Sequence, residues 1–224
     1  KEYLGLSAEF LAALAFWVGI PWALKMPLGH LVDLIWRYKA GLVYIGAALI
    51  ATGLCIMVAL IAEPSRMSAV MPISAWYVLA VLLSPVGYVL QDVVADAMTV
   101  EAVPRIGRDG KPFADAERKL MNTTMQTLGR VAIIGGSLLV AVVNLFMFEG
   151  VEKLPQAAKA EIYARIYALA LVIPAVSVAG VLLQKRLLRR ERRRLAALGM
   201  DGGEIEEAIP GGEGTRPNWW ILGG

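Results

Sequence analysis

Cysteine and histidine are nearly missing from this chain. Cys55 is the only cysteine and His30 the only histidine among 224 residues. One cysteine excludes an intrachain disulfide and a Cys-based metal cluster. One histidine excludes a paired-His metal site and weakens any Ser-His-Asp reading. Cys55 lies inside an apolar run, where a free thiol behaves as a small hydrophobe. No metal or cofactor site is therefore expected. Net charge is small as well, with 22 Lys and Arg against 19 Asp and Glu giving +3.

What the chain has in abundance is apolar sequence. It is 58% hydrophobic, and its mean hydropathy is +0.60. A soluble domain of this length rarely carries so much, because its surface must stay wet. The apolar residues come in runs of about 20, the length that crosses a hydrocarbon core. The pattern predicts an all-α, polytopic membrane bundle with five spans, at about 7–28, 40–62, 73–103, 121–148 and 163–184. Pro21, Pro85 with Gly87, and Pro174 fall within spans and are expected to interrupt them. Gly129, Gly135, Gly136 and Ser137 would permit close packing of the fourth span.

Charge in the connectors sets orientation. Arg37 and Lys39 lie in the first, Arg66 alone in the second, and Arg105, Arg108, Lys111, Arg118 and Lys119 in the third. The fourth sets Lys153 and Lys159 against Glu149, Glu152 and Glu161, and seven basic residues from Lys185 to Arg194 follow the fifth span. Basic residues concentrate in connectors one and three and in the tail, which the positive-inside rule places in the cytoplasm of an inner (plasma) membrane. The arginine-rich run is expected to meet anionic lipid, with no nucleic-acid partner. Residues 185–218 read as a cytoplasmic linker, and 219–224 as the first turns of another span. The first residue is Lys1, and the odd span number predicts one more helix before it. Six spans, a charged linker and a new apolar segment form the layout of a transporter built of two six-helix halves.

Ionisable residues inside spans are costly and need a reason. Gln91, Asp92, Asp96 and Glu101 sit in the third span, with Asp92 and Asp96 on one helix face. Counting back from Pro104 puts Asp96 ~12 Å and Asp92 ~18 Å deep, and Arg130, counted from Met121, ~13 Å deep. A cavity-facing site for a proton or cationic group is one reading, and a static ion pair that locks helices is the other. Arg130 is the expected partner of Asp96. Lys25, near the inner end of the first span, is expected to snorkel to the interface. Gly29, Asp33 and Arg37 form a tight connector in which Asp33 can cap a helix or pair with a cation. Asp92 and Asp96 also suggest the aspartate-rich helices of Mg-dependent intramembrane prenyltransferases, although a second acidic pair is missing. A membrane scaffold on a transporter fold is a third possibility.

Three stretches carry a resemblance. The connector 29–39 resembles the Gly-x-x-x-Asp-(Arg/Lys)-x-Gly-(Arg/Lys) loop of major facilitator superfamily transporters, with Leu34 in place of a basic residue and the later Gly absent. Pro21-Trp22-Ala23-Leu24-Lys25-Met26-Pro27-Leu28-Gly29 through Asp33 is similar to a "PW-x-x-K-P-x-x-G-x-x-x-D" segment of the folate–biopterin transporter branch, departing by the inserted Met26. Gln91-Asp92-Val93-Val94-Ala95-Asp96-Ala97, with Val100-Glu101, is similar to that branch's "D-V-V-x-D-A-x-x-V-E". Lys1–Glu9 reads like its outer loop. The resemblance implies helices two to six of a secondary transporter, no enzyme, working by alternating access around a midplane cavity. The solute would be small and polar or anionic, folate- or pterin-like, with a proton as coupling ion. It would put Lys25, Asp92, Asp96 and Arg130 at the cavity, Lys25 and Arg130 meeting the anion and the acids serving the proton.

Sidedness is directly testable. In a Cys55→Ser background, Met67→Cys and Ala158→Cys should react with an impermeant maleimide on intact cells. Arg189→Cys should react only after permeabilisation, and labelling in the reverse order would invert the assigned topology.

Overall fold

The computed structural model describes residues 7–34, 38–101, 103 and 113–209. The Lys1–Glu9 outer loop up to residue 6, most of the third connector, Arg37 and the start of a further span at 219–224 lie outside the described residues. Those described are helical, without a strand: α1 (Ala8–Ala23), α2 (Lys25–Leu34), α3 (Lys39–Ala62), α4 (Pro64–Val70), α5 (Ile73–Glu101), α6 (Asp115–Phe148), α7 (Gln156–Ala170), α8 (Val172–Ala197) and α9 (Gly202–Ala208). Five segments are long and apolar enough to cross a membrane: Ala8–Val32, Lys39–Ala62, Ile73–Thr99, Asp115–Lys153 and Gln156–Ala197. Each overlaps one of the five apolar stretches read from the sequence, with the fourth and fifth extending well beyond them.

Two spans are broken, both for one reason. A proline cannot donate to the carbonyl four residues back, and its ring crowds that carbonyl. Pro27 denies a donor to Ala23, so α1 ends there and helical bonding resumes with the Leu28 N–H on the Leu24 carbonyl at 3.0 Å. Pro174 does the same to Ala170, and α7 gives way to α8 at Leu171. Pro21 and Pro85, by contrast, lie inside continuous helix. The expected interruption therefore holds at Pro174, fails at Pro21 and Pro85, and occurs at Pro27 instead.

The bundle is organised about α3 and α5, which run antiparallel with their backbones nearly touching. A Cβ on Gly87 would lie 2.5 Å from the Gly46 carbonyl oxygen, and one on Gly53 would lie 2.8 Å from the Ala80 carbonyl. Ala80, Ser84, Gly87 and Gln91 recur at spacings of three and four, so α5 offers α3 a stripe of small residues. The matching stripe on α3 is Val43, Gly46, Ile50, Gly53, Met57 and Leu60, all buried. Apolar clusters close both ends of this contact. Val32, Val43, Val89, Val93, Val94 and Val181 fill one, and Met57, Leu60 and Ala80, with Trp76 and Tyr167 against them, fill the other. Beta-branched valines have little rotamer freedom to lose, which suits a tight contact.

Helices α7 and α8 pack chiefly against α3, while α1 and α2 lie on α5. The long α6 has no buried residue. Its leucines, isoleucines and valines point outward, Leu138 and Leu145 being 65% and 72% exposed. An outward apolar surface of this extent suits hydrocarbon rather than water. Close packing was expected at Gly129, Gly135 and Gly136, yet nothing lies within 4 Å of a Cβ at any of them. Among the described residues, the close glycine contact is at Gly46, Gly53 and Gly87, where the glycines of α3 face Ala80, Ser84 and Gly87 of α5.

Gly87→Ala drives a methyl into backbone and should cost about 1–3 kcal/mol. Its detergent-solubilised thermal midpoint should fall by several degrees, whereas Gly135→Ala should leave it unchanged or raise it. Equal behaviour of the two variants would contradict the packing described.

Candidate functional site

Alpha5 carries two functional stripes about 110° apart at ~100° per residue. The first, ending in Gln91, faces α3 and α8. The second, Tyr88, Asp92 and Asp96, faces α1 and α2. Trp22, in the last turn of α1, packs its ring 5.3 Å from that of Tyr88. Lys25 opens α2 immediately beyond the break at Leu24. Its position at the C-terminal end of α1 also suits a cation electrostatically.

Lys25 reaches both acids. Its Nζ lies 2.5 Å from Asp92 Oδ2 and 2.9 Å from Asp96 Oδ2. The three differ in exposure: 17% for the Asp92 side chain, 37% for Lys25 and 67% for Asp96. Asp92 is thus enclosed behind the ammonium, and Asp96 stands open. The ion triad borders a cleft of ≈ 520 Å³ lined by Trp22, Lys25, Met26, Gly29, Val93, Asp96 and Ala97. Gly29 belongs to this lining, and a Cβ there would meet only Val93, at 4.0 Å. The backbone of Asp33 belongs to α2, while its side chain and all of Arg37 lie outside the described residues.

Gln91 ties three helices together. Its Nε2 donates to the Val43 carbonyl at 3.1 Å, and its Oε1 accepts from Ser177 Oγ at 3.2 Å. Eight residues beyond Ser177 on α8, Lys185 Nζ donates to Tyr44 Oη at 3.4 Å and lies 5.1 Å from that ring's centre. Neither Ser177 nor Tyr44 stood out in the sequence, since a lone Ser or Tyr in an apolar run is unremarkable. Only the partner across the bundle gives it meaning.

Two expectations change. Arg130 was the expected partner of Asp96, but Lys25 holds that place. Arg130 is exposed, and no ion pair joins it to a described residue. Equal depth on adjacent helices did not produce contact, because α6 touches α5 only sparingly. Depth changes as well. Counting from Pro104 assumed that the membrane begins at the connector, yet α5 runs 29 residues, about 43 Å, and overshoots any hydrocarbon core. Its uncharged part is 73–91, about 28 Å, and ends where Asp92 begins. The uncharged stretch of α6, 131–148, likewise starts just after Arg130. Gln91 meets Val43 only four residues inside Lys39, the first residue of α3. The triad therefore occupies the end of the bundle that bears Lys39 and Lys185, and not its middle. Lys25 does not need to snorkel, since its partners are at its own level.

Removing the ammonium leaves two facing carboxylates one helical turn apart, whereas removing Asp96 leaves the Lys25–Asp92 pair intact. Thermal midpoints in detergent should therefore fall in the order Lys25→Ala, then Asp92→Asn, with Asp96→Asn nearest to the parent. A larger loss for Asp96→Asn than for Lys25→Ala would mean that the triad is not held as described. Comparison with family models, with curated proteins and with solved structures gives no match for this chain.

Proposed function

We propose that this bundle belongs to an ion-coupled secondary transporter that moves a small polar solute by alternating access, with Lys25, Asp92 and Asp96 as the charge gate at one mouth of its pathway. The observation that carries the reading is a single lysine shared by two carboxylates beside an open cleft, in helices otherwise built to meet hydrocarbon. Three groups with one surplus carboxylate can exchange partners, and such exchange suits a group that must open and close.

The helix breaks support the same reading. Lys25 stands at the start of a half-helix whose hydrogen bonding to α1 is interrupted, so α2 can tilt about Leu24 at the cost of few bonds. Ser177, one turn beyond Pro174, gives α8 a comparable pivot and a single polar tie to α5. Residues from both stretches that resemble the folate–biopterin branch, far apart in sequence, converge on this cleft: Trp22, Lys25 and Gly29 from one, Asp92 and Asp96 from the other. By that resemblance the fold is of the major facilitator type. The solute would be folate- or pterin-like, the coupling ion a proton, and the basic linker cytoplasmic.

An Mg-dependent prenyltransferase would need its metal to displace an ammonium seated on both acids, which weighs against that alternative. A scaffold has no use for an exchangeable charge.

The test is uptake by the full-length protein in proteoliposomes, with an imposed proton gradient and a panel of folates, pterins and other small polar solutes. Gradient-driven accumulation should occur for at least one solute. It should fall at least about ten-fold in Asp92→Asn and in Asp96→Asn. Undiminished uptake by both variants, or no uptake of any solute by the parent, would sink the proposal.

A further inference from the structure

The sign of the cleft has a consequence for its ligand. Two carboxylates and one ammonium within hydrogen-bonding distance sum to −1. Among the described residues, Lys25 and Asp96 are the charged side chains in the cleft's lining. Lys25 is already committed to both acids, so an anion entering here meets no uncommitted cation among the described lining residues and faces the exposed Asp96 carboxylate. Like charges brought together at such a site are strongly disfavoured. A cation meets the opposite: an ionised carboxylate accepts about four hydrogen bonds, and Lys25 takes only one position on Asp96. The remaining walls are apolar or aromatic, from Trp22, Met26, Val93 and Ala97. Trp22 is 46% exposed, and an indole face is the preferred aromatic partner for an ammonium. A volume of ≈ 520 Å³ lies in the range of small-molecule sites, which is roughly 300–1,000 Å³.

We infer that the cleft binds an organic monocation: an ammonium group on Asp96, with its apolar or aromatic body against Trp22, Met26 and Val93. Asp92 keeps Lys25, and Asp96 receives the ligand. This rests on the transporter reading only for its physiological sense, because binding is measurable without transport. It departs from the anionic solute that the family resemblance implies.

The experiment is calorimetric titration of the full-length protein in lipid nanodiscs. It uses a pair of probes alike in shape and opposite in sign, phenethylammonium and 3-phenylpropionate. Phenethylammonium should bind saturably and at least about ten-fold tighter than 3-phenylpropionate. Asp96→Asn should weaken the amine by at least about ten-fold, and Trp22→Leu by about five-fold, while Trp22→Phe retains most of the affinity. Should Asp96→Asn fold poorly, Gly29→Leu fills the cleft with the triad intact and should also abolish saturable binding. Equal or tighter binding of the carboxylate overturns the inference, as does amine binding that survives Asp96→Asn or Gly29→Leu, or no saturable binding of either probe. Saturable amine binding without any gradient-driven uptake would leave the inference standing and remove the transporter reading. Uptake of an anionic solute without amine binding would do the reverse.

Discussion

The near contact of the α3 and α5 backbones at Gly46 and Gly87 is the constraint from which the other positions follow. With a carbonyl oxygen where a side chain would stand, the two helices can meet in essentially one register. That register sets Gln91 against the Val43 carbonyl, and it fixes the rotation of α5 about its axis. Once Gln91 faces α3, the geometry of a helix turns Asp92 and Asp96 toward α1 and α2. The ion triad is therefore set by a glycine contact well over a helical turn away. Helices held this way need no hydrophobic effect between them, which suits a solvent as apolar as the side chains themselves.

The charged groups make sense as a layer. Lys25, Lys39, Asp92, Arg130 and Lys185 each bound an uncharged stretch, of 15 residues or more, of their own segment. The Lys25–Asp92 and Lys185–Tyr44 contacts, with Gln91 on Val43, hold four of the five segments to a common level. A charge at such a boundary costs far less than one at the centre of a bilayer. The bundle can thus keep an unbalanced carboxylate, and with it a site capable of exchange, at little penalty to its fold.

Much of this was legible in the sequence. Run length picks out the same five segments that are long and apolar enough to cross a membrane, because hydrophobicity over about 20 residues is a property of the local chain. The acids Asp92 and Asp96 and the residues Lys25, Gln91 and Gly29 were found as candidates, since polar groups stand out against an apolar background. Pairing was not legible. Depth counted along single helices matches Asp96 with Arg130. Which helix lies beside which depends on small-residue stripes, and the glycines of α6 competed for attention with those of α3 and α5. The break at Pro27 was also missed, because a proline acts on the carbonyl four residues earlier. The same reasoning applied to Pro174 points to the observed break at Leu171.

The placement of the triad at one end also bears on how a membrane potential would act on it. The voltage across a bilayer drops mainly over the hydrocarbon, at roughly 2.3 kcal/mol per elementary charge per 100 mV for a full crossing. A charge passing between the water at the basic end and Asp96 crosses only a small part of that drop. For the proposed site, arrival and departure of a ligand would be governed by concentration on that side and scarcely by voltage. In the proposed transport cycle, electrogenic work would then fall to the uncharged stretches of α3 and α5, which would span the field.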